Sequence, residues 1–152
     1  MTNQRSQDEE VLIDLRKTIF GNSGLADRAA IMFLADAMRW PARAWVLLDD
    51  DVPASFQVAW INDNVLGLAT IQTHLEPPFS AEVHPLGAIQ SIDLVASPVA
   101  AGVTGLVDLR VARSMTVRFT AGESMTIGRL VDDQFAERFI EEVLAAVNAE
   151  GV

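Results

Sequence analysis

The sequence predicts an α+β protein. Two N-terminal helices lead into an antiparallel curved sheet of six or seven strands, approaching a partly open barrel, and one amphipathic helix closes the chain. Three observations carry this. Apolar residues recur at helical spacing before Pro41, alternate with period two after it, and return to helical spacing after Asp132. Between Pro41 and Asp132, turn residues cut the chain into short runs, the pattern of a sandwich or barrel.

At 152 residues one domain is expected, with residues 1–41 as a helical segment and 42–152 as a β domain with its closing helix in one compact unit. Half of the chain is apolar and 21% is charged, which excludes a disordered chain. The formal charge of −10 repels phosphate backbones and anionic lipid heads, so neither nucleic acid nor a membrane is an expected partner. Cysteine is absent, which removes disulfides, thiolate nucleophiles and thiolate metal sites. The first ten residues are polar and acidic without a signal-peptide core, and the longest apolar stretch, residues 29–35, is too short to span a bilayer. A cytoplasmic location follows as the expectation. Lys17 is the one lysine among 11 basic residues, a usage associated with bacterial high-GC coding sequences.

Residues 1–9 read as a frayed lead-in. Val11, Leu12, Leu15 and Ile19 then set a helix over residues 10–20, broken by the Gly-Asn-Ser-Gly stretch at 21–24. Ser23 is the expected N-cap of a second helix over residues 25–39, with Asp27 in its first turn. That helix is apolar on nearly every side, and Trp40-Pro41 ends it because the residue before proline avoids the helical region. Strands are expected over 42–48, 55–61, 65–74, 86–95, 105–111, 114–120 and 124–130. Asn62-Asp63-Asn64 is hairpin chemistry, because Asn and Asp tolerate positive φ, and Gly67 marks a bulge or a close approach. The last helix starts at Asp132 as N-cap and ends before Gly151. Phe135, Phe139, Ile140, Val143, Leu144 and Val147 form its apolar stripe, opposite Glu137, Arg138, Glu141 and Glu142.

The run of short strands, the Ile89-Gln-Ser-Ile92 strand, a hairpin ending in Met125-Thr-Ile127, and Asp132-x-x-Phe135-x-x-x-Phe139 opening a closing helix resemble bacterial pleckstrin-homology-like (PH-like) domains over about residues 42–148. The resemblance implies a partly open barrel whose end is plugged by Phe135 and Phe139, with the two leading helices extra to the pattern. It implies a binding scaffold more than a catalyst. Members that bind phosphoinositides use Lys and Arg in the loop after the first strand. Here that loop is Asp49-Asp50-Asp51-Val52-Pro53, whose carboxylates repel a phosphorylated head group, so phosphoinositide is not an expected ligand.

Candidate chemistry is sparse. His74 with Glu76, and Glu82 with His84, are pairs at i, i+2 spacing, which share a face of a strand. Together they could ligate zinc or manganese; polar residues flanking the Pro77-Pro78 turn are the commoner arrangement. No other cofactor is expected. Asp49 to Asp51 lack the spaced ligands and glycine of a calcium loop, and a solvated turn is the simpler account. Arg110, Arg113 and Arg118 form either an anion site or partners for the acidic face of the last helix, the second being favoured. Ser91 and Asp93 near a histidine lack a Gly-x-Ser-x-Gly elbow, and no phosphate-cradling glycine loop occurs, so no catalytic residue is expected.

The second helix needs a cover on its outer side, from the first helix or from a second copy. Met32, Phe33, Met38 and Trp40 are the candidate partner-binding residues, and a homodimer is expected. The leading functional expectation is a non-catalytic protein-binding or scaffold module. A small acidic secretion-chaperone-like protein is the alternative and needs a helix near residues 79–96, against Pro85 and the strand-like 89–95. A metal-binding protein or enzyme using His74, Glu76, Glu82 and His84 stands third.

Overall fold

The computed structural model describes residues 2–20, 28–49, 55–100, 109–128 and 134–150. The expected caps Ser23 and Asp132, the turn at 50–53, and the strand residues 105–108 lie outside these. The elements in order are α1 (Thr2–Phe20), α2 (Arg28–Met38), β1 (Ala44–Asp49), β2 (Ser55–Ile61), β3 (Val65–Gln72), β4 (Phe79–Pro85), a 3-10 turn (Leu86–Ala88), β5 (Ile89–Ala100), β6 (Leu109–Phe119), β7 (Ser124–Ile127) and α3 (Gln134–Glu150). The α+β class is as expected. The single curved sheet is not: the strands divide into an antiparallel four-stranded sheet, β1-β2-β3-β4, and an antiparallel three-stranded sheet, β5-β6-β7, with no closure into a barrel. The division falls at Pro85 and the 3-10 turn, where the chain leaves one ladder and enters the other.

The four-stranded sheet is apolar on both faces because both are covered. Val58, Trp60, Ala69 and Ile71 point into a core shared with Leu15, Ile19 and Phe20 of α1 and with Ala30, Ile31, Leu34 and Met38 of α2. Their neighbours in the alternation, Ala44, Val46, Ala59, Ile61 and Leu66, point the other way, into a core with Met115, Val117 and Phe119 of β6 and Phe139, Ile140 and Val143 of α3. The layers are therefore helix pair, sheet, then second sheet with closing helix. The two leading helices dock on the outer face of the first sheet, and α1 is the cover that α2 needs.

The helix expected over 10–20 begins earlier, at Thr2. α2 stops at Met38 in a Schellman-type end. The amide of Trp40 donates to the carbonyl of Ala35 at 3.2 Å, that of Arg39 to Asp36 at 3.4 Å, and Arg39 takes the left-handed conformation with φ +55°. The side-chain amide of Asn62 donates to the Met38 carbonyl at 2.7 Å, satisfying a further helix-end acceptor. Asn62 thus acts through its side chain, and no residue of the Asn62-Asp63-Asn64 turn takes positive φ. Gly67 marks a close approach: β3 pairs with β2 without a register break, and Gly67 lies opposite Trp60.

Two strand expectations change. Residues 79–85, which the strand assignments left out, form β4. The runs 105–111 and 114–120 merge, over the described residues, into the continuous β6, which pairs with β5 from Leu109 to Arg118 without a register shift.

Arg113 ties that strand to α3. Glu137 accepts from its backbone amide at 2.9 Å and its Nε at 2.8 Å, and Glu141 accepts from the guanidinium at 2.6 Å. The hydrogen bond to Glu137 is the main cause of an Arg113 pKa raised above the ordinary arginine value. Glu137→Ala is expected to destabilise the fold by about 2 kcal/mol, since it removes charge-assisted bonds from a half-buried arginine. Glu141, exposed, is expected to contribute under about 0.5 kcal/mol. Urea unfolding of the two variants separates these values.

Candidate functional site

The structure divides the four predicted metal-ligating residues. His74 and Glu76 lie exposed in the loop of the β3–β4 hairpin, residues 73–78. Glu82 and His84 lie on β4, whose hairpin end is Phe79. His84 lies five residues along the strand from Phe79, about 16 Å at the usual rise per residue. The two i, i+2 pairs therefore make no common site. What Glu82 and His84 do meet is Glu123, which sequence reasoning did not single out. One ligand atom from each of Glu82, His84 and Glu123 lies within 4.8 Å of the other two.

Each residue is positioned by a local cause. On β4, Glu82 pairs with Leu68 and His84 with Leu66, so both side chains point to the face shared with the second sheet. The amide of Leu86 donates to the carbonyl of Asn64 at 3.0 Å, and that of Thr120 to Ala88 at 2.9 Å, holding the β4–β5 corner against the β6–β7 turn. In that turn the amide of Gly122 donates to the carbonyl of Phe119, and Phe119 donates to the carbonyl of Glu123, both at 2.9 Å. Gly122 takes φ +97°, the left-handed conformation that ends a three-residue hairpin loop and that glycine adopts without strain. Glu123 is thereby delivered opposite Phe119, whose ring stacks on the His84 imidazole with centroids 3.9 Å apart. The His84 side chain is 16% exposed, and its Nε2 lies 3.4 Å from Glu82 and 3.5 Å from Glu123.

The predicted partner-binding residues separate as well. Met38 is a correction: it is fully buried in the core beneath α1 and α2. Phe33 is half-buried and stacks on Phe79 at 5.6 Å, and Trp40 donates its indole N–H to Asp14 at 2.8 Å. Met32 alone of the four is exposed. Arg113 serves the acidic face of α3, and Arg118 pairs with Asp93 at 2.8 Å, which engages the carboxylate a Ser91–Asp93–His arrangement would need.

Two further features were not legible beforehand. A cavity of about 370 Å³ lies between α1, β1 and α3, walled by Trp40, Trp45 and Phe135 with Arg43 and Arg138 at its polar side. Arg43 is held there by Glu142 at 2.7 Å. The second feature is the outer edge of β5. This strand ends the three-stranded sheet, and Leu94 and Val95 on it are exposed, as is Val111 on the neighbouring β6.

Fold and site together define an α+β protein of two antiparallel sheets, with an edge strand that exposes apolar side chains and a carboxylate–imidazole cluster where the sheets meet. Comparison with protein-family models, with curated proteins and with solved structures finds no match. Among the described residues no helix is long and apolar enough to cross a membrane.

Proposed function

We propose that the chain is a non-catalytic protein-binding scaffold of the kind its resemblance to bacterial PH-like domains implies, acting in the cytoplasm as a homodimer. The edge of β5, which pairs with no other strand among the described residues, carries this reading. An edge strand presents unpaired amides and carbonyls, and sheets ordinarily guard such edges with charge. Here Leu94 and Val95 stand exposed at its middle, and the adjacent charge, Asp93, is already neutralised by Arg118 of its own chain. Proline cannot donate to a ladder, so Pro98 sets the limit of the pairing stretch. A second β5 laid antiparallel on the first makes an isologous contact, each strand offering the other the same apolar pair. The cysteine-free chain fits a reducing compartment.

Of the two rings that the resemblance would place in the barrel end, one is enclosed and one is not. Phe139 is fully buried between the sheets, while Phe135 is 58% exposed and stacks on Trp45 at 5.2 Å. The secretion-chaperone alternative loses its required helix, because residues 79–85 and 89–100 are strands.

Light scattering on the eluting chain is expected to give twice the 16.5 kDa chain mass. Leu94→Lys combined with Val95→Lys is expected to elute at the single-chain mass with an unchanged circular dichroism spectrum. A wild-type chain that stays at single-chain mass across the concentration range overturns the dimer.

A further inference from the structure

We propose that Glu82, His84 and Glu123 form a zinc site that clamps the edge of the four-stranded sheet to the β6–β7 hairpin. The spacing of the donors is the first support. Four ligands at the usual zinc distance of about 2.0–2.1 Å lie about 3.3 Å apart along each edge of the tetrahedron. His84 Nε2 stands 3.4 Å from the Glu82 carboxylate and 3.5 Å from that of Glu123, so two edges are already set. The third edge, between the carboxylates, falls within 4.8 Å and closes by rotation of exposed side chains.

Charge is the second support. Two carboxylates are gathered here on a chain whose formal charge is −10, and no Arg or Lys pairs with either of them among the described residues. A divalent cation neutralises both. The donor set then selects among cations. Calcium and magnesium take oxygen ligands, whereas an imidazole nitrogen favours zinc, which also binds more tightly than manganese to a given site. Three protein donors leave the fourth zinc position to water. The third support is preorganisation: the Phe119 ring stacked on the imidazole restrains the one nitrogen donor, and hydrogen bonds on both sides of Gly122 fix the approach of Glu123.

The test uses the purified full chain, stripped with EDTA and titrated calorimetrically with zinc chloride. One equivalent is expected to bind and to raise the thermal unfolding midpoint. Glu82→Gln and Glu123→Gln, both at exposed positions and checked for folding by circular dichroism, are each expected to weaken binding by about tenfold or more. His74→Ala, which removes the other imidazole, is expected to leave the affinity unchanged. His84→Ala is avoided because it also strips support from Phe119. No uptake by the stripped chain, or uptake that either glutamine variant leaves unchanged, or uptake lost in His74→Ala, overturns the site.

Discussion

Gly67→Ala is expected to destabilise the protein by about 3 kcal/mol or more, at the upper end of what an added methyl costs in a packed core. A Cβ at this position falls 2.2 Å from the indole of Trp60, far inside van der Waals contact. The usual escape is movement of the obstructing side chain, and Trp60 has none. It is fully buried, directly across the ladder from Gly67, and surrounded by the core beneath α1 and α2. The methyl therefore forces either the indole into the helices or β3 away from β2. For a chain of this size such a loss lowers the melting temperature by about 10 °C. A double-mutant cycle isolates the cause. In a Trp60→Leu background the same Gly67→Ala change is expected to cost under about 1 kcal/mol, because the ring it strikes is gone. Equal costs in the two backgrounds would show that the glycine is required for its backbone instead.

Phe139→Ala should be nearly as damaging, at about 3–5 kcal/mol for a fully enclosed aromatic. Phe139 is the aromatic anchor of α3 in the core between the sheets, beside Ile140 and Val143. Its deletion leaves a void bounded by both sheets, neither of which can collapse into it alone. Phe135, one turn earlier, provides the internal comparison. Its ring lies largely in solvent against Trp45, so Phe135→Ala is expected to cost about 1 kcal/mol, the value of an aromatic pair with little burial. Denaturant unfolding of the two variants, side by side, measures how far α3 is anchored by one ring.

The same pair shows what the sequence could and could not reveal. Phe135 and Phe139 share a helical stripe, and periodicity assigns both to the core. Only the position of β1 decides that one is enclosed while the other leans on Trp45 at the rim. Periodicity worked in β2, where Phe56, Val58 and Trp60 share the face toward α1 and α2, although burial itself does not alternate there because Ala59 and Ile61 are enclosed on the other face. It failed at β4. In Ser80-Ala81-Glu82-Val83-His84 the strand lies at a sheet edge and is largely exposed, so no alternation of apolar residues announces it. Along β6 burial does not alternate throughout, since Val111 is exposed and Ala112 buried. The phase of Met115, Val117 and Phe119 meets an arginine at residue 113 that looked like a break. Its meaning came from α3, which brings Glu137 to it from 24 positions away.

The candidate site was half legible for a related reason. The i, i+2 spacing correctly placed Glu82 and His84 on one face of a strand. It offered no means of seeing that the hairpin loop would carry His74 and Glu76 away, or that a turn in the second sheet would supply Glu123. Local spacing is set by the strand, whereas the third donor is set by the packing of two sheets. A sequence signal did exist at Ala121-Gly122-Glu123, in the glycine whose left-handed turn aims the glutamate. It specified a hairpin without specifying what the hairpin faces.

The four-stranded sheet separates two apolar cores and belongs to both. Val58 and Trp60 look into one, Ala59 and Ile61 into the other, along a single run of backbone. Neither core can be lost without removing half the support of β2. The helix pair and the closing helix, which never need to touch, are thereby linked through the pleat of one strand. Their free energies of unfolding combine into a single cooperative unit, and a perturbation beneath α2 is felt under α3 as a shift in that common stability.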